Sequence, residues 1–225
     1  MHLPSCPETT SEIDLWEAQL RRSALADAFD GLPTASAGAG SLTYGELTWA
    51  SLLQVLRSLS LMLGEARNLT FSDLGSGFGR VVLGVACFDL PSDAAATQYR
   101  FRRCVGVEIE PKLHAAATAA LQRLTDHPIG GALVGSRVEL ICADALASSE
   151  QWLEGCDVLY VCCTCFDTPL LAKIGSLLDK TLREGAIVIT VTQSIPAACL
   201  EPVSEIDVDC TWGHAGIIIS VCRRE

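Results

Sequence analysis

A glycine-rich turn between a short apolar run and a helix constrains this chain more than any other feature. It runs Phe71-Ser-Asp-Leu-Gly-Ser-Gly-Phe-Gly-Arg80. Three glycines within five residues let the backbone bend sharply and let a ligand approach with no Cβ in the way. The helix that follows directs its free N–H groups and its positive dipole end at the turn. The stretch therefore predicts strand, turn and helix in an α/β sheet, with a cofactor loop at the turn. An ordinary tight strand–helix turn is the alternative.

The spacing of the glycines indicates which cofactor the loop would take. A dinucleotide fingerprint, G-x-G-x-x-G, would need its third glycine at position 80, where this chain has Arg80. A nicotinamide-dependent oxidoreductase is therefore a distant alternative. The order Asp73-Leu-Gly-Ser-Gly-Phe-Gly79 instead resembles the S-adenosyl-L-methionine (SAM) loop of class I methyltransferases.

Length and charge limit the organisation and the partners of the chain. Its 225 residues predict one domain, 43–225, preceded by a helical extension and flexible loop, 1–42. The net charge is −11, and lysine occurs only at Lys112, Lys173 and Lys180. Because a broad basic face is hard to build from such a composition, we expect no direct nucleic-acid binding. A basic protein partner is electrostatically easier. The sequence does not predict the oligomeric state.

Eleven cysteines, mostly inside apolar runs, favour a reduced intracellular protein, cytoplasmic or nuclear. Neither a secretory leader nor an apolar run of transmembrane length is visible, so we expect no membrane association. Cys162 and Cys165 have C-x-x-C spacing, but neither a second pair nor spaced histidines accompany them. We therefore predict no metal site. A redox dithiol is an alternative, and small side chains packing a turn is the favoured interpretation.

Apolar runs alternate with helical patterns along the chain, which predicts a parallel sheet with helices on both faces. After the glycine loop, apolar strands end in acidic residues twice more, at Glu108 and Asp144. Ligands of such sheets lie at the carboxyl ends of the strands. The predicted elements are a helix at 12–29, a helix at 46–65, a surface insertion at 89–101, a strand at 104–109, a helix at 112–125, a turn at 127–131, strands at 138–144 and 157–162, a helix at 168–182, a strand at 186–192, and a hairpin of 203–210 with 216–222.

The three strand-end acids predict separate roles around one ligand. Glu108 can accept two hydrogen bonds from a ribose diol. Asp144 can accept from an adenine amino group, with the backbone N–H of Ala145 beside it. Asp73 is predicted to order the loop or the amino end of the cofactor. For each acid, a solvated residue at a strand end is the alternative.

The segment after the fourth strand is where the methyl acceptor is expected. Here it runs Cys162-Cys-Thr-Cys-Phe166. Phe166 either lines the methyl channel or belongs to the core. Trp212-Gly-His214, in the hairpin, either closes the acceptor site or is a turn packed by an aromatic residue.

Several segments between residues 43 and 193 together resemble the DOT (disruptor of telomeric silencing) family of histone lysine methyltransferases. The similarity depends chiefly on the glycine loop combined with a Y-G-E segment before the long helix. The matching segments are Tyr44-Gly-Glu46, Asp73-Leu-Gly-Ser-Gly-Phe-Gly-Arg-Val-Val-Leu83, Gly106-Val-Glu108, Ala143-Asp144, Asp157-Val-Leu-Tyr-Val-Cys-Cys-Thr-Cys-Phe166 and Leu182-Arg-Glu-Gly-Ala-Ile-Val188.

This resemblance implies a class I, Rossmann-like methyltransferase fold: a mostly parallel seven-stranded sheet with helices on both faces and a C-terminal antiparallel hairpin. It implies SAM as cofactor and a protein lysine as methyl acceptor. The implied cofactor-binding residues are Tyr44, Glu46, Asp73, Gly75, Ser76, Gly77, Gly79, Glu108, Ile109, Asp144, Ala145 and Cys162. The acceptor-channel candidates are Cys163, Thr164 and Phe166.

Two departures from the family pattern keep other functions open. Cys162-Cys163 replaces an asparagine pair, and the basic extensions with which the family grips nucleosomes are missing. Both favour a non-nucleosomal target. A small-molecule methyltransferase is one alternative, favoured by a closed apolar pocket over Phe166 and Trp212; an open channel beside Tyr44 and Thr164 favours a protein acceptor. A non-catalytic SAM-binding module is the other alternative.

Overall fold

The structure, a computed structural model, describes residues 22–31, 46–66, 68–88 and 100–224. The expected helix at 12–29 is helical at 22–29, which we label α1, and its first ten residues lie outside the described ranges. The same holds for residues 89–99 of the expected surface insertion. No helix within these described ranges is long and apolar enough to cross a bilayer.

Seven strands form one sheet in the order β3-β2-β1-β4-β5-β7-β6. The first five pair in parallel, and β7 runs antiparallel to both β5 and β6. This arrangement confirms the predicted fold class, including the C-terminal hairpin. The strands are β1 Leu69–Leu74, β2 Phe101–Glu108, β3 Val138–Cys142, β4 Val158–Cys162, β5 Ile187–Val191, β6 Leu200–Cys210 and β7 Gly213–Cys222.

Helices cover both faces of the sheet because the inner strands are apolar on both sides. Along β4, Val158 and Tyr160 enter one hydrophobic cluster, whereas Leu159 and Val161 enter the other. The first cluster includes residues of α1 to α5, and the second includes residues of α6 and α7. The helices after α1 are α2 Trp49–Leu63, α3 Arg80–Phe88, α4 Pro111–Asp126, α5 Pro128–Val134, α6 Ser149–Leu153 and α7 Thr168–Thr181.

The predicted helix at 46–65 begins three residues later than expected, for a local reason. The Thr48 side chain accepts the Ser51 N–H at 3.2 Å and caps α2. The residues before it pair with the hairpin instead: Leu47 forms an antiparallel bridge with Cys210. Position 46 is therefore tied to the sheet rather than to the helix.

The predicted turn at 127–131 is wrong, because α5 occupies most of it. Its first residue is Pro128, whose ring suits the first helical position. The ring Nδ1 of His127 accepts the N–H groups of Ile129 and Gly130, each at 3.2 Å. Strand β2 also begins earlier than predicted, at Phe101, inside the expected insertion.

Candidate functional site

A cavity of about 1040 Å³ lies at the carboxyl ends of β1, β2 and β4. Its wall contains eleven of the fifteen residues that the sequence singled out. They come from the segment before α2, the end of β1 with the glycine loop, the residues at the ends of β2 and β3, and the end of β4 with the segment after it. The eleven are Glu46, Asp73, Gly75, Ser76, Glu108, Ile109, Asp144, Ala145, Cys162, Thr164 and Phe166.

Among the described residues, three predicted ones do not line the cavity: Gly77, Gly79 and Cys163. The fifteenth predicted residue, Tyr44, lies outside the described residues. Gly77 and Gly79 belong to the glycine loop but are not among the residues that line the cavity. Cys163 is fully buried in the second hydrophobic cluster. Its side chain therefore points into the core, and this placement argues against a role in an acceptor channel.

The glycine loop is held against β2 by backbone hydrogen bonds. The N–H groups of Gly75 and Ser76 both donate to the carbonyl of Val107, at 2.8 and 2.9 Å. Gly75 has a φ of +76°. A Cβ there would stand 3.2 Å from Cζ of Phe166. Glycine is needed at this position both for the backbone conformation and for the aromatic ring that covers it.

Glu108 is buried and bound to two backbone groups. Its Oε2 accepts the Gly77 N–H and its Oε1 accepts the Glu110 N–H, both at 2.8 Å. A carboxylate offers about four acceptor sites, so the side chain retains capacity for a ribose diol. Its contact with Gly77 shows a second role that the sequence did not indicate: it braces the glycine loop from the neighbouring strand.

Asp73 is a buried carboxyl on the cavity wall, and its environment fits a cationic ligand. Burial, then the charges of Glu108 and Glu46, raise its pKa to about 8. Among the described residues no group bonds to its Oδ2. A buried polar atom without a partner is unfavourable, and an ammonium or sulfonium group beside it would remove that cost. SAM, the cofactor that the sequence resemblance implies, carries both groups.

The end of β3 and the exposed Ile109 form the other end of the cavity. Asp144 Oδ1 accepts the Leu146 N–H at 2.8 Å, and the Ala145 carbonyl accepts the Trp152 indole N–H at 2.9 Å. These bonds fix the turn after β3. Ile109 is 64% exposed yet faces the cavity. An apolar surface beside a carboxylate suits the flat face and amino edge of an adenine.

The segment after β4 forms a 3₁₀ turn, Cys163–Cys165, where the sequence predicted a tight turn. Its polar groups connect it to the residue that follows β5, Thr192. Cys162 Sγ lies 3.5 Å from Thr164 Oγ1, which lies 2.9 Å from Thr192 Oγ1. Thr192 has a φ of +73°, uncommon for a β-branched residue and a form of stored strain.

Burial disfavours the thiolate form of two cysteines at the end of β4, Cys162 and Cys163. Burial raises the pKa of Cys162, and burial raises that of Cys163 to about 12. A protonated thiol is a poor nucleophile and a poor metal ligand. Within the described ranges, no group of three or more His, Cys, Asp or Glu side chains has the arrangement of a metal site.

Sequence reasoning missed two cationic side chains on the cavity wall, Lys112 and Lys173. Lys112 follows the proline that begins α4, directly beyond the acidic end of β2, so its proximity to the strand end was a usable signal. Lys173 lies one turn into α7, and only the packing of that helix brings it to the cavity. Phe78 and Leu113 also line the wall and were not predicted.

The solved structures that resemble this chain include methyltransferases of low sequence identity. A class I SAM-dependent methyltransferase described as putative, from Listeria monocytogenes, is 11% identical, with 92% of this chain and 69% of that chain covered and a TM-score of 0.62. An RNA methyltransferase from Salinibacter ruber, bound to S-adenosyl-L-homocysteine, is 19% identical. The match covers 76% of this chain and 93% of that chain, with a TM-score of 0.51. An O-methyltransferase described as putative, from Klebsiella pneumoniae, is 17% identical. The match covers 99% of this chain and 92% of that chain, with a TM-score of 0.53. These matches establish the class I methyltransferase fold.

A match to a family covers most of the chain. The comparison with curated proteins found no match to this chain. The sequence profile of the family described as histone methylation protein DOT1 matches residues 36–207, which include the glycine loop, all three strand-end acids and the segment after β4. The chain therefore belongs to the DOT1 histone methylation family, with the class I SAM-dependent methyltransferase fold.

Proposed function

We propose that this protein is a SAM-dependent methyltransferase whose acceptor is a lysine side chain of a basic protein. The observation that carries the cofactor assignment is the buried Asp73 carboxyl, a residue of the cavity wall whose Oδ2 has no hydrogen-bond partner among the described residues. The family supplies the acceptor class, because its description names histone methylation.

The cavity offers a complementary group for each part of SAM. Asp73 and Glu46 would face the cationic methionine end, and Glu108 the ribose hydroxyls. Asp144, with the apolar side chain of Ile109, would hold the adenine. A volume of about 1040 Å³ is at the upper end of ordinary small-molecule sites. It therefore leaves room for an acceptor side chain beside the cofactor.

SAM supplies an activated methyl group on a sulfonium centre. The work left to the protein is to position the acceptor nitrogen and to exclude water. The ring of Phe166 lies against Gly75 at the loop and would shield the transfer site. A lysine attacks as the neutral amine, so its ammonium must first release a proton to bulk water before it enters the site. The hydroxyl of Thr164 on the cavity wall would accept a hydrogen bond from the acceptor nitrogen.

Charge on the cavity wall favours a cationic acceptor. Two lysines on that wall are outnumbered by carboxyl groups, and such a surface attracts basic peptides. Apart from Asp73, whose pKa is raised to about 8, the carboxyl groups are Glu46, Glu108, Glu110, Asp144 and Asp167. Trp212, which would cap a closed small-molecule pocket, is 38% exposed at the hairpin turn and is not part of the wall. This favours a protein acceptor over a small molecule, and a histone acceptor would place the protein in the nucleus.

A non-catalytic SAM-binding module is the second candidate, and one observation favours it. The family asparagine pair is replaced by Cys162 and Cys163, and the second of these is in the core. No amide is therefore present at this point to orient the methionine end or the acceptor. Under this hypothesis the cofactor binds and no methyl group is transferred.

Two measurements test the proposal in sequence. Isothermal titration should give a dissociation constant for SAM at or below the micromolar range, and Asp73→Asn should weaken it at least tenfold. Asp126→Asn, an exposed change on α4, is the matched control. Absence of binding at high micromolar SAM would refute the cofactor assignment.

The second measurement identifies the acceptor. Incubation with methyl-labelled SAM and either free histones or reconstituted nucleosomes should label free histones on lysine, as located by mass spectrometry. Labelled metabolites from a cell extract, without a labelled protein, would support the small-molecule alternative. SAM binding without any labelled product would support the non-catalytic module.

A further inference from the structure

Arg80, the first residue of α3, connects the glycine loop to the segment that covers one side of the cavity. It follows Gly79 directly, and its side chain is only 15% exposed. Its Nε donates to Glu46 Oε2, forming an ion pair in which the glutamate side chain is 2% exposed. Glu46 lines the cavity, whereas Arg80 does not.

Two aromatic rings enclose the guanidinium and fix its position. Its Cζ lies 4.6 Å from the centroid of the Trp49 ring and 5.0 Å from that of Phe29. The two rings pack edge-on, with centroids 5.8 Å apart. Arginine suits this setting, because its planar group stacks on rings while its N–H groups bind a carboxylate. The guanidinium therefore has little freedom to turn from Glu46 towards the cavity.

The backbone of Glu46 is held independently of Arg80. Its N–H donates to Thr211 Oγ1 at 3.1 Å, and its carbonyl accepts the Thr211 N–H at 2.8 Å. Loss of the guanidinium should therefore remove its ion pair with the carboxylate while the backbone stays paired with the β6–β7 turn. Glu46 is also near enough to Asp73 for its charge to act on that carboxyl.

We infer that Arg80 is a positioning residue that fixes the Glu46 carboxylate beside Asp73, so that the pair faces the cationic methionine end of SAM. This inference rests on the proposed cofactor. Arg80 acts through Glu46 and makes no contact of its own with the ligand. Its removal should weaken ligands that carry the cationic methionine end and should leave the adenosine end unaffected.

A comparison of two ligands distinguishes the positioning role of Arg80 from a purely structural role. SAM carries the sulfonium and the amino acid, whereas 5′-methylthioadenosine has the same nucleoside with a neutral thioether and no amino acid. Arg80→Gln should raise the dissociation constant for SAM about tenfold, the usual scale for a lost charged hydrogen bond, and that for 5′-methylthioadenosine less than twofold. Arg223→Gln breaks an exposed ion pair with Glu201 on the hairpin and should change neither constant.

A double-mutant cycle tests whether the effect passes through Glu46. In a Glu46→Gln background, Arg80→Gln should weaken SAM binding by less than twofold, because the group it positions is already altered. Full additivity of the two substitutions would overturn the inference. Equal weakening of SAM and 5′-methylthioadenosine by Arg80→Gln would overturn it as well.

Two further results decide the cases in which Arg80→Gln does not fold or the wild-type protein does not bind. If Arg80→Gln does not fold, Glu46→Gln alone must change the ratio of the two dissociation constants about tenfold; an unchanged ratio refutes the inference. If the wild-type protein binds neither ligand, the proposed cofactor is wrong. Wild-type binding with an unchanged ratio in the variants leaves the proposed function standing and removes only the role of Arg80.

Discussion

Glu108 accepts the backbone N–H of Gly77 at 2.8 Å, which joins the end of β2 to the middle of the glycine loop. The same carboxylate accepts the N–H of Glu110 at the start of α4. One buried side chain therefore holds two segments of the cavity wall together. This arrangement requires both carboxylate oxygens of Glu108 to act as hydrogen-bond acceptors.

Glu108→Gln should weaken SAM binding about tenfold and lower the melting temperature. The amide replaces one acceptor oxygen with a donor, which must then face a backbone N–H and leave it unpaired, at a cost of about 1–3 kcal/mol. Titration calorimetry and thermal unfolding measure the two effects. Glu139→Gln, an exposed change on β3, is the control. Unchanged SAM affinity in Glu108→Gln would show that the loop does not need this brace.

The glycine loop shows why the sequence predicted the fold and most of the site. Apolar runs, glycine spacing and strand-end acids are local patterns, and a parallel sheet brings such strand ends to one edge. The patterns placed Asp73, Glu108 and Asp144 on one cavity. They could not indicate that Glu108 bonds to the loop, because that contact depends on strand register.

Side-chain direction accounts for the remaining differences. Cys162 and Cys163 are adjacent, and the sequence offered both as site residues, but the end of β4 turns one to the cavity and the other to the core. In the sequence, Arg80 marks the position where a dinucleotide loop needs glycine and belongs to the segment that resembles the family loop. Its contacts with Phe29 and Glu46 join segments that are distant in sequence, so no local pattern predicts them.

Asp73 should make the ligand-free protein less stable as the pH rises from about 4 to about 8. Burial and the charge of Glu108 raise its pKa from 3.8 to about 8, so in this window the folded state binds a proton that the unfolded state has lost. The slope from this group approaches about −1.4 kcal/mol per pH unit. Urea unfolding at several pH values measures it. Asp73→Asn should flatten the slope by this amount, and an identical slope in the variant would contradict the assignment.

SAM affinity should increase over the same pH range. The ionised Asp73 carboxylate attracts the cationic end of the ligand, so binding lowers the pKa of this carboxyl and releases a proton below pH 8. Calorimetry in two buffers of different ionisation enthalpy should detect up to one proton released per SAM bound at pH 7. We expect no release with 5′-methylthioadenosine, and proton release equal for both ligands would contradict this account.

Gly75→Ala should cost more stability than Gly155→Ala. Both positions have a positive φ, +76° and +66°, so both substitutions incur the left-handed penalty of about 1–2 kcal/mol. Only at Gly75 would the new Cβ meet another group, Phe166 Cζ at 3.2 Å; at Gly155 nothing lies within 4 Å. The difference in unfolding free energy measures the contact with the ring. Gly75→Ala should also weaken SAM binding. Equal losses of unfolding free energy in the two variants would show that the Phe166 ring moves aside without an energetic penalty.

Cys163→Asn restores a family residue but should destabilise this protein by about 1–3 kcal/mol. The side chain is fully buried, with its Sγ near the Val161 carbonyl and otherwise among apolar groups, so an amide there would lack partners. Cys162→Asn should cost less, because that position faces the cavity, where an amide can meet water or ligand. Cys142→Asn, at an exposed position on β3, sets the baseline. Urea unfolding ranks the three variants. A Cys163→Asn protein as stable as Cys142→Asn would mean that this side chain can turn towards the cavity, and the acceptor channel would then include residue 163.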